Sequence, residues 1–267
     1  MKRGMNKAVV AVLAALLATC LCGCGQRRES VTLAGSTAFQ PFAQHLADQY
    51  MAAHRDVNIS VQGGGSAMGI QSALSGVAQI GMADLSVLPP EAGSLTATVV
   101  ARDSIAVVVN PANSMSGLTT KQIQDIFSGR VKNWKEVGGP DAPVTVVSRE
   151  AGSGTRSSFE QIVGNISLTK DAIVQDSNGT VLETVANDAN AVGYLSHGLV
   201  NQRIKSLEVD GRKCTTAEVK AGNYPLVRPI YLLTRGAPAG KAGEFIAYIL
   251  STEGQQTIET SGLIPAK

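Results

Sequence analysis

Three short stretches of this 267-residue chain place glycines and hydroxyl residues just ahead of a helical pattern. They are Gly35-Ser36-Thr37-Ala38, Gly63-Gly64-Gly65-Ser66 and Arg149-Glu150-Ala151-Gly152-Ser153-Gly154-Thr155. A helix N-terminus carries unpaired backbone N–H groups and a partial positive charge, so several aimed at one point make an anion site. Hydroxyls add donors without bulk, and glycine lets the backbone come close. For any single turn, N-capping is the simpler reading; Asp84 alone could cap the turn before Pro89-Pro90, and Arg149 alone could be a surface charge. Three such turns joined by one arginine and one aspartate point to an anion.

Other site chemistries lack their residues. A phosphate loop of the GK[ST] kind fails, because the only Gly-Lys is followed by Ala242. Gly64-Gly65-Ser66-Ala67-Met68 and Ala151-Gly152-Ser153-Gly154-Thr155 each miss one glycine of a hydrolase elbow. The three histidines (His45, His54 and His197) form no HExxH and no close pair with a carboxylate, so neither a metal site nor a Ser-His-Asp triad is expected. No cofactor is implied.

Regular elements must hold these turns. Val31–Ala34, 57–62 (VNISVQ) and 144–147 read as strands running into the three turns. Phe39, Phe42, Ala43, Leu46, Ala47, Tyr50 and Met51 repeat as one helical face after the first. Ile70, Leu74 and Val77 follow the second; Phe159, Ile162 and Val163 follow the third, in a helix expected to start near Arg156. Ser177-Asn178-Gly179 reads as the cap of a further helix, and Trp134 as a packing residue. Strands alternating with helices give an α/β protein with mostly parallel sheets flanked by helices.

Export is written at the N-terminus. MKRGMNK carries three positive charges and yields to an apolar run from Ala8 to Cys22, shorter than the roughly 20 residues of a membrane-spanning helix. Leu21-Cys22-Gly23-Cys24 resembles a bacterial lipobox, which implies a signal peptide over 1–23 and an acylated Cys24 heading a polar tether, 24–29. Leu17-Ala18-Thr19-Cys20 is a poorer match, because Thr19 is large for that place. Cys214 would be the one other cysteine, so no disulfide staples the fold. Without Lys2, Arg3 and Lys7 the chain has 20 basic against 21 acidic residues, which speaks against nucleic-acid binding and against a charged membrane-binding face. Eleven aromatic residues are few for sugar or base stacking. Hydrophobic residues at 44% with 16% charged fit a globular chain with a substantial core.

Over its whole exported length the chain resembles the phosphate-binding proteins of bacterial ABC transporters, within the type II periplasmic-binding-protein superfamily. The resemblance lies in AGSTAFQPF, QGGGSAMGI, IGMADLS, LTTKQIQDIFSGRVKNWKEVGG, SREAGSGTRSSF, NAVGYLS and YPLVRPIYLL. It implies two lobes with a ligand cleft between them: residues 30–107 with 227–267, and residues 108–226. Ile105 to Asn110 and Pro229 to Leu233 would be the hinge strands. It also implies donors at Ser36, Thr37, the Ala38 backbone and Ser66, an acceptor for a protonated phosphate oxygen at Asp84, a charged donor pair at Arg149, and a cradle at Ser153, Gly154 and Thr155. Many relatives have an acid where this chain has Ala151, with Glu150 one position earlier. The expected protein is thus a monomeric binding lipoprotein with no catalytic residues, taking inorganic phosphate to a membrane permease. A sulfate or molybdate carrier would share the helix termini but gain nothing from Asp84. A secreted phosphatase or serine hydrolase would need a base that the sequence does not supply.

Overall fold

The computed structural model describes residues 28–164 and 166–266; the signal segment and Cys24 lie outside the described residues. Two parallel strands, β1 (Glu29–Gly35) and β2 (Val57–Gly63), are joined by helix α1 (Gln40–Ala53), whose Ala43, Leu46, Ala47 and Tyr50 are buried as the periodicity expects. Helix α2 (Ser66–Ser75) leads to β3 (Ile80–Ala83), also parallel to β1. Gly76 ends α2 in the left-handed conformation. Val77 therefore falls outside the helix and is 76% exposed, not packed beside Ile70 as its spacing suggested.

Beyond β3 the chain turns into one long strand, β4 (Leu95–Val109). Its first half alternates in burial, whereas Ile105 to Val109 is buried throughout. The change marks a change of neighbours. Leu95 to Ser104 pairs with β11 (Val227–Arg235), and Ile105 to Val109 pairs with β8 (Ala191–Ser196). The exchange of partners thus falls at Ser104/Ile105.

On the β8 side, β6 (Thr145–Arg149) runs parallel to β7 (Ile173–Gln175) and to β8. Helices α3 (Thr120–Phe127), α4 (Gly154–Val163) and α5 (Asn178–Asn187) cover these strands, and α4 begins before the expected Arg156. Short β5 (Gly117–Leu118) and β10 (Glu208–Val209) pair separately, β9 (Lys205–Ser206) adds to β4, and α6 (Thr216–Lys220) precedes the return strand. After β11 come α7 (Gly240–Ile249), α8 (Thr252–Thr260) and β12 (Ile264–Pro265). The antiparallel pairs all involve β4 or β11, the two crossing strands; the outlying pairs are parallel, as βαβ units require.

The core follows this division. One cluster gathers Val107, Phe127, Trp134, Phe159 and Tyr194, with Tyr194 stacked on Phe159 at 4.0 Å. Another gathers Leu33, Phe39, Leu46, Ile80 and Phe245 on the far side of the crossing strands, with a smaller one around Ile70 and Leu233. No described helix is long and apolar enough to cross a membrane.

Candidate functional site

Asp84 follows directly on β3 and is buried, 1% exposed. Ser66, the first residue of α2, donates through Oγ to Asp84 Oδ1 at 2.5 Å and accepts from the Asp84 amide at 3.1 Å. Thr155, in the first turn of α4, donates to Asp84 Oδ2 at 3.3 Å. Gly154 lies against the same pair. A Cβ there would fall 2.7 Å from Asp84 Oδ1 and nearer still to Ser66 Oγ, so a side chain has no room. The second and third turns also meet through their backbones, Ala67 N donating to Gly152 O at 3.1 Å. Gly65 permits that approach: its φ is +86°, and a Cβ would lie 2.8 Å from Gly152 O.

The first turn adjoins the second, Gly65 N donating to Gly35 O at 3.0 Å. Ser36 Oγ accepts from the amides of Ala38 at 3.2 Å and Phe39 at 3.1 Å, which caps the approach to α1. The Ala38 N–H, expected to face the anion, is thus bonded locally. Thr37 Oγ1 accepts from Asn178 Nδ2 at 3.0 Å. Asn178 is 1% exposed and also accepts from Ser196 N at 3.1 Å through its Oδ1. Ser177 does cap α5, but Asn178 does more, tying that helix to the first turn. Among the described residues neither Ser36 nor Thr37 donates its hydroxyl proton, which leaves both protons available.

Arg149 ends β6 and is 1% exposed. Its Nε and Nη2 donate to the two oxygens of Glu150, both at 2.9 Å, and Nη2 also reaches Asp176 O at 3.3 Å. Nη1 is buried and meets no partner among the described residues. A buried guanidinium N–H without an acceptor is costly, about 1–3 kcal/mol or more, unless a ligand receives it. The Glu150 contact supplies the acid that Ala151 lacks. Ser153 Oγ accepts from Arg156 N at 3.2 Å and so caps α4. Beside Ser66 and Ser153 opens a cavity of about 190 Å³, lined also by Leu85, Val87, Gly152 and Ser157.

Sequence reasoning missed a second buried arginine. Arg228 of β11 is fully enclosed, its Nη1 2.6 Å from Asp84 Oδ2 and 3.1 Å from Asp84 O. Its Nη2 and Nε donate to Asp103 Oδ2 at 2.8 and 3.2 Å, and Asp103 Oδ1 accepts from Ser196 Oγ at 2.7 Å. Burial pushes the Asp103 carboxyl up; Arg228 and Ser196 pull it down, and the neighbouring Asp84 adds to the rise. The signal was present: each is a charge inside an apolar strand pattern, RPIYLL and DSIAVVV.

A PBP superfamily domain matches residues 24–253. The chain is 34% identical to the phosphate-binding protein PstS of Bacillus subtilis, over 88% of this chain and 80% of that one. The chain belongs to this PstS family within the PBP superfamily. A substrate-binding protein of a phosphate ABC transporter from Clostridium perfringens, solved with bound phosphate, is similar to it with a TM-score of 0.86 and 37% identity, covering 90% of this chain and all of that one. An ABC-type phosphate transport receptor from Vibrio cholerae gives 0.74 and 34%, covering 88% and 99%. The two-lobed α/β architecture expected from the sequence is the fold of this PstS-family chain. Around its site stand a guanidinium N–H unpartnered among the described residues, hydroxyl donors and the Asp84 carboxylate, a set suited to an anion that still carries a proton.

Proposed function

We propose that this chain captures inorganic phosphate in the cleft and delivers it to the membrane permease of an ABC transporter. The observation that carries this reading is Asp84, a buried carboxylate fixed among anion donors. Beside a bound anion such a group favours one that brings its own proton, which phosphate does near neutral pH and sulfate does not. The donors are Ser36, Thr37, Ser66, Arg149, Ser153, Gly154 and Thr155. For Ser66 and Thr155 to donate to the anion, their hydroxyls must rotate away from Asp84.

Residues 30–107 with 227–267 form one lobe and 108–226 the other, closing over the ion about β4 and β11 and favouring the closed state. The protein works outside the cytoplasm as a monomer, tethered by a lipid on Cys24, and the bound ion leaves unchanged. Calorimetry of the purified protein against phosphate, sulfate and molybdate tests the reading. Equal affinity for sulfate would overturn it. So would turnover of an aryl phosphate or ester that Ser153→Ala abolishes.

A further inference from the structure

We propose that Arg228 is a positioning residue for Asp84, and that the discrimination between protonated and unprotonated anions depends on it. The inference rests on the phosphate reading above and deepens it.

Asp84 stands on a short loop after β3, where a free carboxylate could turn about its side-chain bonds. Ser66 holds Oδ1, and Arg228 is the charged group that fixes the main chain and Oδ2 together. One nitrogen, Nη1, holds both the main-chain oxygen of Asp84 at 3.1 Å and its Oδ2 at 2.6 Å. The guanidinium is in turn fixed by Asp103 through Nε and Nη2. Arg228 and Asp103 face each other directly in the β11–β4 ladder, so the fork is anchored on both crossing strands. Asp103 is itself held by Ser196, which ends β8. Each member is buried to 1% or less, as are Ser66 and Thr155, which share Asp84. A planar fork can reach two carboxylates at fixed angles, and a lysine cannot.

Charge points the same way. Asp84 would sit beside a bound anion with little water between them, and Arg228 offsets that repulsion. Its charge is shared with Asp103, so Asp84 keeps its capacity to accept. Phosphate then gains one hydrogen bond that depends on the direction of the Asp84 oxygens. Sulfate has no proton for that bond and nothing to lose if Asp84 turns.

The test is a double-mutant cycle read as the phosphate-to-sulfate affinity ratio. Arg228→Lys keeps the charge and removes the fork. It should lower the ratio about tenfold, the worth of one hydrogen bond to a charged group. In an Asp84→Asn background the same substitution should leave the ratio within about twofold, because the group through which Arg228 acts has gone. A purely structural Arg228 would change the ratio by the same factor in both backgrounds, or not at all, and either result overturns the proposal. Should Arg228→Lys fail to fold, Asp103→Asn enters the same cycle, since it loosens the fork from the other end and predicts the same loss only when Asp84 is present. Wild-type protein that binds no phosphate would refute the phosphate reading itself; wild-type discrimination with an indifferent cycle would refute only the role of Arg228.

Discussion

Arg149 grips Glu150 through two parallel hydrogen bonds of 2.9 Å, although the two are neighbours in sequence and Glu150 is 30% exposed at its side chain. The fork aims the guanidinium and leaves Nη1 without a partner among the described residues. Glu150→Ala should therefore destabilise the ligand-free protein, by about 1–2 kcal/mol once the partial exposure of Glu150 is allowed for. Phosphate should recover more of that loss than it adds to the wild type. Thermal unfolding with and without phosphate checks this, and an equal phosphate-induced shift in both proteins would contradict it.

Arg149→Ala should weaken phosphate binding more than Ser66→Ala. A hydrogen bond from a guanidinium to an anion is worth about 1.5–3 kcal/mol, against about 0.5–1.5 for a neutral hydroxyl. Calorimetry on the two variants decides. Equal losses would remove Arg149 from contact with the ligand.

Selectivity should follow Asp84. The wild type is expected to prefer phosphate over sulfate by about 10⁴-fold, as sites do when a buried polar group must find its partner. Asp84→Asn should cut that preference by at least about tenfold, because an amide donates to either ion. The variant leaves Arg228 paired with Asp103, so its fold should survive. A ratio that stays put would make Asp84 a structural residue.

Cys214 offers a check on the core. It is 5% exposed, and burial pushes its thiol up to about 11 from 9.0. Thiolate is the reactive form, so alkylation of Cys214 in the folded protein at pH 8 should run about 100-fold or more below that in denaturant. The sign of the pH effect follows from the raised value. The neutral thiol's contribution to stability is complete below about pH 9 and disappears as pH rises through about 11. Peptide mass spectrometry of alkylation and thermal unfolding across that range test both statements. Rapid native labelling at pH 8 would show that the thiol is open to solvent.

Lipidation should occur at Cys24. Leu21 and Gly23 stand three and one residues before it. Cys24→Ala should accumulate precursor or release the protein from membranes. A mature N-terminus elsewhere, carrying no diacylglycerol, would disprove the assignment.

The three strand–turn–helix units were legible in the sequence, because they depend on local periods and on residues such as Gly65 and Ser153 whose roles are set within one turn. It also named Asp84 and Arg149 by type. What it could not supply was the partner of each charge. Arg228 lies 144 residues from Asp84 and 125 from Asp103, and the contact exists because β11 and β4 pair antiparallel across the middle of the sheet. Asn178 meets Thr37 across 141 residues for a similar reason: two helix N-termini from opposite sides are brought to one point. The end of α2 was misread at Val77 because a 3.6-residue period cannot show that Gly76 has already turned the chain left-handed. Local hydrogen bonds and burial patterns act over a few residues and leave their mark in the sequence; the pairing of buried charges is settled only when the crossing strands close, since burial is what makes an unpaired charge too costly to leave.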